Sequence, residues 1–130
     1  MPNWCSNDIT ITGSQADLEE LANLMSIDEE TIMERLVPQP EDLADGEWYQ
    51  WCIDNWGTKW DMCELVATYE SDYISLAYET AWAPNTAFWQ TISKRFPMLS
   101  MTHYYKEVGM GFTGVATYKY GNCIDECVSA

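Results

Sequence analysis

The sequence predicts an α+β fold: a ferredoxin-like split β-α-β antiparallel sheet with an inserted acidic helical segment and one extra strand. Three observations predict it. The opening stretch Trp4–Thr12 alternates with period two, as a half-buried strand does. Two segments with helical spacing carry start and stop signals, one directly after that strand and one late in the chain. The remaining runs are rich in Tyr, Thr and Val and are separated by Gly-, Pro- and Ser-Asp-type turns. At 130 residues, 47% hydrophobic and 21% charged, the chain fits one domain over 1–130 with a packed core.

The elements follow in order. Cys5, Asn7, Ile9 and Ile11 point one way along the first strand; Trp4, Ser6, Asp8, Thr10 and Thr12 point the other, and Gly13 ends it. Ser14 is the N-cap of a helix, with Asp17 three residues on and Leu18, Leu21, Ala22 and Met25 on one face. Ser26 with Glu29 repeats the signal and predicts a second, shorter helix burying Ile32, Met33 and Leu36, stopped by Pro38 and Pro40. Glu41–Gly46 is an acidic loop. Glu47–Asn55 is helical again, with Gly57 as its left-handed cap. A strand is expected over Thr58–Tyr69, clearest from Met62, then a turn at Glu70-Ser71-Asp72 and a partner strand over Tyr73–Thr80. Pro84 or Asn85 opens a helix to Phe96. Strands over Met98–Lys106 and Phe112–Tyr120 flank a turn at Val108-Gly109-Met110-Gly111, and residues 121–130 read as a tail. Removing an insert at about 27–57 leaves β-α-β-β-α-β plus one strand, the split βαβ plan with helices on one face.

Within Glu47–Trp60, EWYQWCIDNWGTKW, stand four of the chain's seven tryptophans. This run, the opening MPNWCSN and the Phe88-Trp89 pair resemble the YubB ferredoxin-like domain family, small proteins of phages, plasmids and prophage regions. The resemblance implies a ferredoxin-like domain with a helical insert and no established catalytic residues. From the residues themselves, Trp51 and Trp56 read as packing, with Asn55, Gly57, Thr58 and Lys59 fixing the turn. A competing reading is a ligand pocket lined by Trp48, Tyr49, Trp56, Lys59 and Trp60.

Charge is the other strong signal. Twenty-one acids against six bases give a net charge of −15. Residues 14–64 hold fourteen of the acids and two of the bases. Direct nucleic-acid binding and anionic membranes are disfavoured, because both need clustered Lys and Arg. A basic partner is favoured. Asp17, Glu19, Glu20, Asp28, Glu29, Glu30, Glu34, Glu41, Asp42, Asp45 and Glu47 form a candidate acidic face. It reads either as a solvated surface or as a mimic of nucleic-acid phosphates that occupies a host nucleic-acid-binding or defence protein.

Catalytic signals are weak. His103, the only histidine, has no serine or cysteine at a recognised spacing and reads as structural. Gly109-Met110-Gly111 reads as a hairpin rather than a phosphate cradle. Cys123 and Cys127 have no second Cys/His pair, so zinc is not expected. Five cysteines and no secretory signal predict free thiols and a cytoplasmic protein. No stretch of about 18 apolar residues occurs, so no membrane span is expected. The expectation is a non-enzymatic binding protein without a cofactor. Tyr69, Tyr73, Tyr104, Tyr118 and Tyr120 are expected on the open sheet face or its edges, suited to a protein or homodimer contact.

Overall fold

The computed structural model describes residues 3–129. Met1 and Pro2 of the opening motif, and Ala130 of the expected tail, lie outside the described residues. The elements are β1 (Trp4–Thr12), α1 (Gln15–Ser26), α2 (Ile32–Leu36), α3 (Trp48–Asn55), β2 (Cys63–Tyr69), β3 (Tyr73–Ala81), α4 (Thr86–Arg95), β4 (Ser100–Glu107), β5 (Phe112–Lys119) and β6 (Asn122–Ser129). The six strands form one sheet in the order β2-β3-β1-β4-β5-β6. Every neighbouring pair is antiparallel. The first four positions, β2-β3-β1-β4, are the ferredoxin-like arrangement, and β5 and β6 extend one edge. No helix among the described residues is long and apolar enough to cross a membrane.

Local chemistry sets these elements. Ser14 Oγ accepts the Asp17 N–H at 3.2 Å and caps α1. Along β1 the residues Cys5, Asn7, Ile9 and Ile11 are buried, while Ser6, Asp8, Thr10 and Thr12 are exposed, as the alternation predicts. Leu18, Leu21 and Met25 of α1, and Phe88, Trp89 and Ile92 of α4, close the core over that face.

Several boundaries differ from the sequence expectation. The expected tail is the strand β6. Tyr120 (φ 56°) and Gly121 (φ 77°) are both left-handed and join the paired residues Lys119 and Asn122. Two left-handed residues between paired strands make the primed hairpin turn that matches strand twist. The expected second helix begins only at Ile32. Asp28 Oδ1 accepts the Glu30 N–H at 3.0 Å, so the Asp28–Glu30 stretch turns locally and Ser26 caps nothing. Strand β2 starts at Cys63 rather than Thr58, because Thr58 is committed elsewhere: its hydroxyl donates to Ala81 O at 2.7 Å. Tyr118 is buried rather than on the open face, and Tyr69 faces the helices; Tyr104 and Tyr120 are exposed.

Beneath the sheet lies a buried polar chain. His103 is fully buried. Its Nε2 lies 2.8 Å from Asn7 Oδ1 and its Nδ1 lies 2.8 Å from the Tyr118 hydroxyl. Asn7 Nδ2 already donates to Cys5 O and to Thr80 Oγ1. Asn7 Oδ1 is therefore an acceptor, His103 carries its proton on Nε2, and Tyr118 donates to Nδ1. Alongside, the Trp89 indole N–H donates to the Tyr78 hydroxyl at 2.8 Å, and that hydroxyl donates to Asn85 Oδ1 at 2.6 Å.

Burial pulls the His103 imidazole down from its usual value to about 3. A folded state that refuses the proton loses stability wherever the unfolded chain accepts it. The His103 contribution is thus complete above about pH 6.5 and is lost as pH falls toward the folded value, with a limiting slope of about 1.4 kcal/mol per pH unit. Because His103 is the only histidine, its imidazole ¹⁵N signals are unambiguous. They are expected to stay in the neutral, Nε2-protonated form from pH 8 to about 5; titration near the unperturbed value would contradict the buried network.

Candidate functional site

The acidic insert between α1 and β2 is the candidate site, and the sequence dictates how it is held. Arg35 in α2 turns inward. Its guanidinium donates to Leu24 O at 2.8 Å, Met25 O at 3.2 Å and Asp28 O at 2.7 Å, and its Nε donates to Thr31 Oγ1 at 3.2 Å. Those carbonyls belong to the end of α1 and the turn after it, so one arginine closes the helix terminus and ties α2 to it.

Asp61 performs the matching task from the other side. Its carboxylate accepts the backbone N–H groups of Met33 at 3.1 Å, Glu34 at 3.0 Å and Met62 at 2.9 Å. It caps the start of α2 from a segment 27 residues away in sequence. Burial raises its pKa against the pull of those three donors.

The third anchor is aromatic. Trp56 is buried and its indole N–H donates to Val37 O at 2.9 Å. Trp51 stands edge-on to it with ring centroids 5.5 Å apart. Gly57 (φ 88°) follows, and a Cβ there would meet Pro84 O at 2.9 Å. Only glycine lets the chain leave α3 this close to α4. The Trp51–Gly57 part of the aromatic run is therefore a structural brace, as its packing interpretation predicts.

The carboxylates are distributed over this scaffold. Glu19, Glu20, Asp28, Glu30, Glu41, Asp42, Asp45 and Glu47 are exposed; Asp17, Glu29 and Glu34 are half-buried. Three of these are engaged: Asp28 accepts the Glu30 N–H at 3.0 Å, Glu29 accepts the Tyr69 hydroxyl at 2.5 Å and Glu34 accepts from Gln39 at 3.2 Å. Glu29 and Glu30 meet Glu64 across a cleft of about 460 Å³ with Met62, Cys63 and Leu65. Glu47 lines a separate depression with Asp54 and Trp51. Glu64 was not singled out from sequence. It reaches the cleft because it is left-handed (φ 52°) where the β2–β3 register slips between Cys63 and Val66.

The expected aromatic pocket divides. Trp48 and Tyr49 pair edge-to-face on α3 at 6.0 Å. Trp60 packs against Trp4 at 6.1 Å, with the Lys59 ammonium 4.5 Å over the Trp60 ring. Trp56 faces inward with Trp51. Trp48, Tyr49 and Trp60 are exposed and Trp56 is not, so the five residues do not converge on one cavity.

All five cysteines are free thiols. Burial pushes the Cys5 thiol up to about 12 and also raises Cys52, Cys63 and Cys123, the opposite of an activated nucleophile. Among the described residues no group of three or more His, Cys, Asp or Glu is arranged to hold a metal ion. Gly109 and Met110 donate their backbone N–H groups to the buried Glu107 carboxylate, which makes that turn a closed loop.

Residues 55–130 match the family model described as the ferredoxin-like domain in Api92-like protein. A solved structure, protein api92 from Yersinia pseudotuberculosis, is similar over 100% of this chain and 98% of its own, with a TM-score of 0.73 and 10% identity. At that identity the likeness is one of fold. No curated protein matches the chain. The family match begins at Asn55, so Asp17–Glu47 lies outside it.

Asp61→Ala strips one acceptor from three backbone N–H groups at once. It is expected to cost about 2–3 kcal/mol, read by urea denaturation. It is also expected to raise amide exchange in α2 more than in β1. An equal rise in both, or no loss of stability, would show that Asp61 does not anchor the insert.

Proposed function

The chain belongs to the Api92-like ferredoxin-like family, and from that premise we propose that it is a non-enzymatic binding protein. Its acidic insert takes a basic protein partner, one that otherwise holds nucleic acid. The observation that carries this reading is the lopsided use of charge in α1 and the anchored insert that follows it. Residues 14–64 contain fourteen acids, while their two bases are Arg35 and Lys59. Arg35 is occupied by backbone carbonyls, and Lys59 lies against the Trp60 ring. The exposed carboxylates of α1, the 28–30 turn and the 41–47 loop are left without surface cations of their own segment.

Such a surface raises the association rate with a basic protein and rejects acidic ones. B-DNA offers about one charge per 1.7 Å of axis, and a clustered carboxylate surface competes for the same Lys and Arg side chains. The likeness of the Trp motifs to YubB proteins of phages and plasmids supports placing the partner in the cytoplasm of a host. The alternative, a small ligand gripped by Trp48, Tyr49, Trp56, Lys59 and Trp60, gains no support, because Trp56 is buried and the others sit in separate groupings.

The test is capture from host lysate at low and high salt. Neutralising the exposed Glu20, Glu30, Asp42 and Asp45 together is expected to abolish capture while leaving Tm nearly unchanged, because exposed substitutions away from anchors change stability by only about 0.5 kcal/mol each. The captured protein should be basic and released by salt or by competing DNA. Undiminished capture by the quadruple variant would overturn the proposal.

A further inference from the structure

The two edges of the sheet are built differently. At the β2 edge the register slips between Cys63 and Val66, Glu64 is left-handed, and Tyr69 is tied to the insert through Glu29. A bulged edge held by other elements is a poor template for a further strand. At the opposite end, β6 pairs with β5 without interruption from Asn122 to Ser129. Among the described residues no strand lies against its outer side. The strand NCIDECVS contains no proline, lysine or arginine. Ile124 and Val128 are 66% and 60% exposed.

An unpaired edge of this length offers a row of backbone donors and acceptors. The side chains beside it define what it fits. Register with β5 places Ile124, Glu126 and Val128 on the open face, next to Thr117, Val115 and Thr113. A depression of about 310 Å³ lined by Tyr104, Val115, Glu126 and Val128 continues the apolar surface onto β4. On the other face Asp125 accepts the Tyr105 hydroxyl at 2.5 Å. The ionisable carboxylates of this strand are thus Asp125 and Glu126 alone, and only Glu126 lies among exposed apolar side chains.

A second copy fits poorly. A two-fold that pairs β6 antiparallel with itself and keeps the open faces together must centre on a residue. Centring on Glu126 sets Glu126 directly opposite its copy, and centring on Asp125 does the same for Asp125. Like charges directly opposite destabilise a sheet, and each copy carries a net charge of −15. Registers centred further out leave only a short overlap.

We infer that the β6 edge accepts an extended basic segment of another protein by strand addition, with a Lys or Arg opposite Glu126 and apolar side chains opposite Ile124 and Val128. Backbone hydrogen bonds supply the attachment, and alternate side chains supply selection. The edge lies at the far end of the sheet from the insert, so this surface stands apart from the acidic one.

The probe is a fluorescein-labelled nonapeptide with lysine at its centre, valine two residues to either side and threonine elsewhere. A control peptide of the same charge carries methyl groups on alternate amide nitrogens. The unmodified peptide should bind the full chain and slow amide exchange in residues 122–129. The methylated peptide, and Glu126→Lys with the unmodified peptide, should each bind at least about tenfold more weakly, with Tm unchanged in the variant. Equal binding of the two peptides would mean attraction by charge alone and would overturn the inference, as would no binding. A concentration-dependent dimer that protects the same amides would assign the edge to a second copy and overturn it equally.

Discussion

The buried hydrogen-bonded chain around His103 is the constraint on which the rest of the structure depends. It runs from Thr80 on β3 through Asn7 on β1 and His103 on β4 to Tyr118 on β5. A polar group buried without a partner costs about 1–3 kcal/mol. Among the described residues every buried side-chain nitrogen and oxygen has one. A slip of one residue at any of the three strand pairings would turn one of these groups away from its partner. The network therefore selects the strand order and register that general apolar burial leaves less specified. Beside it, Tyr78 links Asn85 and Trp89, and Asn85 Nδ2 reaches Met33 Sδ at 3.4 Å. The same buried layer thus touches α4 and the foot of the insert.

The consequence for function is that the acidic insert has a fixed base. Arg35 and Asp61 place opposite charges in opposite roles: one gathers orphan carbonyls, the other gathers orphan N–H groups. Neither is part of the proposed recognition surface, yet both decide where its carboxylates stand. A recognition surface on an anchored scaffold loses less conformational entropy on binding than a floppy acidic loop would. Helix α2, only five residues long, is too short to be stable alone. It exists because Asp61 and Arg35 hold it.

The sequence made much of the fold legible. Period-two alternation placed β1, and Ser14 with Asp17 placed the start of α1. The Trp51–Trp56 brace and the Gly57 cap were readable because large aromatics beside a glycine have few alternatives. Strand β6 was missed because Tyr120-Gly121 is a weak turn signal and Tyr is a rare left-handed residue; its apolar Ile124 and Val128 also flank Glu126 on the exposed face, so no buried alternation marks it. The late start of α2 was missed because Asp28 competes for a local N–H, a choice that propensity does not fix. Within the candidate site, the acidic residues themselves could be read from composition. Their anchors could not. Asp61 acts on Met33 and Glu34 across 27 or more residues of sequence, and nothing local marks a carboxylate as a cap for a distant helix. Trp56 was placed in a pocket and in the core by two competing readings, and its burial, with its indole bond to Val37, decides for the core.

Native-state hydrogen exchange at the Met33 and Glu34 amides reads whether the insert is held, because those two N–H groups end on Asp61. A fixed insert requires both amides to be protected to a degree comparable with the central strand β1. Exchange of both at the rate of an unstructured loop, with β1 still protected, would mean that the insert is not held. The acidic surface would then have no anchored base.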